Sequence, residues 1–267
     1  ADLARRPKQL SATRVEWAGL ARGRIRKRSQ EIPPSKTVRE TIRGMIRRYI
    51  RTYGIEKLRP KRAEPVTPRM VKDIGRIPKG ANVGPMRWDI EHDWRSFVVY
   101  TWEVVNLVVG SRKGESTKLP GDVDHNDWFT RSSLTWHIDG QDYDELTPQL
   151  YRKLKPGCFA RIAPKAAKCD VWGTCHGTEP IILPYRDTAL NAAKQLAKLE
   201  LRWPCSGAEE RQNLPLFCDA NGAPFNDNQF ANLINATLRY TLGEVRAKNF
   251  TPHSWRVWLA TSLGMAG

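Results

Sequence analysis

Near the end of the chain stands Phe250-Thr251-Pro252-His253-Ser254-Trp255-Arg256, in which a proton-transfer group and a fork of hydrogen-bond donors lie three residues apart. Threonine is a favoured helix N-cap and proline a favoured first helical residue. Thr251-Pro252 therefore predicts a helix start with His253 and Arg256 in its first turn. Side chains at i and i+3 share a helix face. That face adjoins unpaired backbone N–H groups and the positive end of the helix dipole, where a phosphate is readily held. The plainer alternative is a surface histidine beside a solvated arginine, since such pairs also arise by chance.

A second arginine stands in a context that could fix its donors. In Gly110-Ser111-Arg112-Lys113-Gly114-Glu115, Arg112 follows a long apolar stretch, and the Glu115 carboxylate three residues on could orient it. Read alone, this is first of all a polar turn. Cys169, Cys175 and His176 lie close together, but they form no Cys-x-x-Cys pair and lack an evident fourth ligand, so no metal is expected.

The elements that must position these residues are mainly helical. Thr37 to Tyr53 places Val38, Ile42, Met45, Ile46, Tyr49 and Ile50 at helical spacing. Arg39, Arg43, Arg47, Arg48 and Arg51 line the other side, so one face would pack and the other could meet phosphates. Thr67-Pro68 repeats the helix-start signal. Trp94 to Val109 is rich in β-branched and aromatic residues, yet its length and the set Phe97, Tyr100, Thr101, Val104, Val105 and Val108 predict a buried helix stopped by Gly110. Leu134–Ile138, Cys158–Ile162 and Pro180–Leu183 read as short strands of a small sheet. Asp187 to Arg202 reads as a helix with an acid at its start, and Asn226-Asp227 caps another that carries Phe230, Leu233, Ile234, Thr237 and Leu238. The expected fold is mainly α with a small antiparallel sheet, an α+β class.

Charge divides the chain of 267 residues. Residues 1–62 hold 19 Lys+Arg against 5 Asp+Glu, while the other 205 hold 25 against 23, so most of the net charge of +16 belongs to one segment. Such asymmetry points to a polyanion, above all nucleic acid, although a solvated basic tail has the same composition. A proline-bounded charged stretch, Leu58 to Pro65, places a domain boundary near residue 63. No apolar run approaches the length of a membrane span, and mean hydropathy is -0.56. Five scattered cysteines fit reduced thiols in an intracellular compartment.

Together these pieces resemble the tyrosine recombinases of the phage-integrase superfamily, and within it the transposon-borne enzymes of eukaryotes, of DIRS or Crypton type. The resemblance covers about residues 63–267 and more loosely the basic helix before them. Its motifs are Gly110, Arg112 and Glu115; Lys168, Asp170 and Gly173 in a Lys-x-Asp-x-x-Gly setting; and His253-Ser254-Trp255-Arg256, preceded by Leu216 to Pro224 and a helix. It implies a recombinase catalytic domain at 63–267, incomplete at its C-terminus, behind a basic core-binding-like segment at 1–62 that lacks part of its own beginning. It implies a double-stranded DNA substrate, self-assembly on that DNA and action in the nucleus, with neither metal nor cofactor.

The implied reaction has a tyrosine hydroxyl attack a phosphodiester, leaving a 3′-phosphotyrosine and a free 5′-hydroxyl. Arg112 and Arg256 would meet charge on the non-bridging oxygens, with Glu115 supporting. Lys168 would protonate the leaving 5′-oxygen, and His253 would assist proton transfer or bond the phosphate. One feature departs from the family. Its nucleophilic tyrosine lies downstream of the His-x-x-Arg helix, and none of the seven tyrosines here does. Tyr240, the nearest, is expected to be a core residue. This polypeptide alone is therefore expected not to cleave DNA, and a recombinase-derived protein that only binds DNA is the alternative.

Overall fold

A computed structural model describes residues 25–27, 30–32, 36–54, 63–118, 128–163 and 179–266. The chain divides into two units, residues 1–62 and 63–267. In the first, β1 (Ile25–Lys27) pairs antiparallel with β2 (Gln30–Ile32), Ile25 opposite Ile32, where the sequence shows only a basic run. Helix α1 spans Lys36–Tyr53. Its apolar stripe is packed at Ile42, 8% exposed, whereas Met45 and Ile46 are 42% and 37% exposed. Among the described residues the expected packed face is thus only partly realised.

The second unit opens with α2 (Pro68–Ile74), capped as predicted by Thr67, whose Oγ1 accepts the Met70 N–H at 3.4 Å. A two-residue hairpin, β3 (Asn82–Val83) with β4 (Met86–Arg87), follows. Helix α3 (Trp94–Val109) begins at Asp93, whose Oδ2 takes the Ser96 N–H at 2.7 Å, and ends at Gly110 with φ 60°. Strand propensity loses here because a helix apolar all round is stable when surrounded. Thirteen of its sixteen residues are buried. Val108, expected inward, is instead 46% exposed.

Four strands form an antiparallel sheet: β5 (Leu134–Ile138), β6 (Gln141–Tyr143), β7 (Phe159–Ile162) and β8 (Ile181–Pro184), in the order β6-β5-β7-β8. The one-turn helix α4 (Pro148–Tyr151) lies between β6 and β7 in sequence. Leu134, Trp136 and Ile138 alternate inward, as period-2 patterning requires. The polar edge strand β6 carries no such pattern and went unseen in the sequence.

Helix α5 spans Ala192–Arg202 and not 187–202, since Asn191 supplies the cap, its Oδ1 accepting the Lys194 N–H at 2.9 Å. Asp187 instead pairs with the Lys194 ammonium. Then come α6 (Ala208–Asn213), α7 (Asp227–Leu242), α8 (Glu244–Ala247) and α9 (Ser254–Ala266). The inward set expected of α7 is buried, but Tyr240 is 47% exposed, because in the last turn it is Leu242 that packs against the core. At the centre, the Trp102 ring meets Phe230 at 5.4 Å and Trp255 at 5.3 Å, which joins α3, α7 and α9. The fold is α+β. Among the described residues no helix is long and apolar enough to cross a membrane.

The core also holds charge. Glu200 of α5 accepts Arg131 Nη1 at 3.0 Å on one oxygen and Arg211 Nη1 at 2.9 Å on the other. All three residues are at most 3% exposed. Arg211 Nη2 donates in turn to the carbonyls of Arg131 and Leu134, tying α6 to the start of β5. The thiols of Cys158, Cys205 and Cys218 are free and buried, and burial pushes Cys218 up to about 11. Cys169 and Cys175 lie outside the described residues.

Candidate functional site

Arg112 leaves α3 two residues after Gly110 and adopts an extended conformation ahead of a 3-10 turn, Lys113–Glu115. Glu115 folds back on it. One carboxylate oxygen accepts the Arg112 backbone N–H at 2.9 Å and the other accepts Nη1 at 3.0 Å. This is the orienting contact that the spacing predicts. The pairing uses one edge of the guanidinium, and the side chain is 40% exposed. Its other N–H groups have no partner among the described residues and are free to meet an anion.

The second arginine arrives on α9. The helix starts at Ser254 and not at Pro252, because Thr251 and Ser254 close a turn of their own. The Thr251 N–H donates to Ser254 Oγ at 3.0 Å, and the Ser254 N–H to the Thr251 carbonyl at 2.8 Å. His253 therefore sits at the entrance to α9, its carbonyl taking the first helical bond from the Val257 N–H at 3.1 Å. Arg256 lies in the first turn, as expected. His253 is exposed and Arg256 half-buried, and neither side chain has a hydrogen-bond or ion-pair partner among the described residues.

Trp255, between them, is fully buried and anchors α9 to α3, its Nε1 donating to the Glu103 carbonyl at 3.0 Å. One turn beyond Arg256, Leu259 lies against Gly110. A Cβ built on that glycine would come within 2.6 Å of Leu259 Cδ2. The glycine thus serves two needs, a left-handed turn and a close helix approach. Gly110→Ala is expected to lower stability by about 1–2 kcal/mol from the backbone conformation alone. Urea denaturation would measure the loss, and an unchanged midpoint would contradict it.

The structure therefore brings Arg112 and Glu115 onto the end of one helix and His253 and Arg256 onto the start of another packed against it. Lys168, Asp170 and Gly173 lie outside the described residues. Arg39, Arg43, Arg47, Arg48 and Arg51 lie on α1 in the other unit, where Arg43, Arg47, Arg48 and Arg51 are exposed. Asp89, Glu91 and His92 gather ligand atoms within 4.8 Å of one another. The Lys79 ammonium stands 3.3 Å from Asp89 Oδ2 and 2.9 Å from His92 Nδ1.

Two buried residues that sequence reading passed over support this region. Glu103 is fully buried in α3 and accepts Thr237 Oγ1 at 2.6 Å, and burial pushes its carboxyl up to about 8. Asn106, 1% exposed, bonds the residue before Arg112. A carboxylate and an amide at buried positions of a mainly apolar helix were the available signal.

No family model, curated protein or solved structure matches this chain.

Proposed function

We propose that this chain holds duplex DNA by its backbone and carries the phosphate-clamping part of a tyrosine-recombinase-like centre that breaks and rejoins strands. The observation that supports the reading best is the packing of α9 on the Gly110 end of α3. It sets two arginines with unused donors on adjoining elements, with His253 beside one of them. Two guanidiniums can meet the charge that develops on a phosphodiester's non-bridging oxygens where no metal does so. In this reading Lys168 donates the proton to the leaving 5′-oxygen, several copies assemble on DNA, and the work is done in the nucleus. The basic segment, residues 1–62, supplies sequence-independent affinity through counterion release.

A second reading is binding without cleavage, for which the unused donors and the basic segment would serve equally. Binding of a labelled nicked duplex, measured across salt concentrations, tests the first reading. Loss of one charged contact is expected to weaken affinity by about tenfold or more for Arg112→Ala and for Arg256→Ala. Both variants binding like the native chain would defeat it. Residues 63–267 alone should show a much flatter salt dependence. A protein–DNA adduct surviving detergent electrophoresis would overturn the second reading.

A further inference from the structure

Arg112 is held by Glu115, but the turn that carries both is itself pinned from two other helices. Its first pin is Asn106, inside α3. Asn106 Oδ1 accepts the Ser111 N–H and the Ser111 hydroxyl, both at 2.7 Å, and Nδ2 donates to the Ser111 carbonyl at 3.4 Å. A buried amide is tolerated only when its bonds are made, and all of these go to the residue immediately before Arg112. The second pin is Asp227, in the first turn of α7. Its Oδ2 lies 2.7 Å from Lys113 Nζ, and its Oδ1 accepts Thr117 Oγ1 at 3.2 Å. The chain is clamped there once more, the Asp227 N–H donating to the Lys118 carbonyl at 3.2 Å.

We propose that Asn106 and Asp227 are positioning residues for Arg112, fixing its turn from either side so that the guanidinium is already aimed when a phosphate arrives. Neither touches the guanidinium. The inference rests on the phosphate-binding reading of Arg112 and adds to it the source of that arginine's alignment. A planar fork needs such support, because its parallel N–H groups match two phosphate oxygens in one orientation only.

A double-mutant cycle on the full 267-residue chain tests this, with affinity for the labelled nicked duplex as readout. Asn106→Leu keeps the volume and removes the three bonds to Ser111; Asp227→Asn removes the ion pair to Lys113. Each is expected to weaken binding by about five- to tenfold, and to weaken it by less than about twofold when Arg112→Ala is already present. Losses of equal size in both backgrounds would mean a general structural role and overturn the proposal, as would native affinity in both single variants. If Asn106→Leu does not fold, the cycle with Asp227→Asn decides by the same criteria. Native affinity in Arg112→Ala alone would defeat the phosphate reading itself, and the inference with it. That outcome is distinct from Arg112→Ala losing affinity while the two positioning variants do not.

Discussion

Glu200→Ala is expected to lower the stability of the 63–267 unit by about 3–5 kcal/mol, enough to leave many domains of this size partly unfolded. Glu200 is the only carboxylate that contacts the guanidiniums of Arg131 and Arg211 among the described residues, and all three groups are buried. Without it, two like charges remain in the core with no counter-charge among the described residues, where Arg131 Nε and Nη2 and Arg211 Nε already have no hydrogen-bond partner. The Leu146 N–H, which Glu200 Oε2 accepts at 3.3 Å, is orphaned as well. The loss belongs to the broken pairings and not to the triad as such. Replacing all three by apolar residues of similar volume, as Arg131→Met, Glu200→Leu and Arg211→Met together, should recover most of the stability. Urea denaturation of the single and triple variants measures both. A triple variant no more stable than Glu200→Ala would show that the arginines' backbone contacts matter more than their charge.

The second large effect is set by pH. Burial holds the Glu103 carboxyl protonated up to about pH 8, against 4.5 for a free one. Between these values the folded state binds more protons than the unfolded chain, so raising the pH favours unfolding. The slope from this one group reaches about 1.4 kcal/mol per pH unit. Its contribution is complete below pH 4.5 and gone above pH 8. Glu103→Gln keeps the acceptor for Thr237 Oγ1 and removes the titration. Between pH 5 and pH 8 the native Tm should fall relative to that of the Gln variant, and at pH 8 the variant should be the more stable. Parallel Tm curves would show that the carboxyl ionises in place.

Much of the helical framework could be read in advance, and the limits follow from where the signals reside. Local ones succeed when nothing competes. Thr67-Pro68 starts α2 where expected, and Gly110 ends α3 in the left-handed conformation its position implies. The same Thr-Pro signal at 251 is displaced by two residues because Ser254 offers a competing turn that propensity does not weigh. Asp187 loses the start of α5 to Asn191 in the same way. At the candidate site, Arg112 with Glu115 and His253 with Arg256 were legible as spacings. Their supports were not, because the Glu103–Thr237 bond spans 134 residues and the Thr117–Asp227 bond spans 110. What the sequence did display was an anomaly: Glu200 follows Ala193, Leu196 and Ala197 on the inward face of α5, and an acid there requires a partner.

The three buried thiols give the unit reporters of its own opening. Cys158 precedes β7, Cys205 follows α5, and Cys218 lies where its carbonyl accepts Trp94 Nε1 at 3.0 Å. An alkylating reagent reaches each one only when its surroundings part, so a timed pulse followed by peptide mapping dates the exposure of sheet, helix layer and α3 entrance separately. Simultaneous labelling would mean that the unit opens as one cooperative body, and staggered labelling would reveal which layer detaches first.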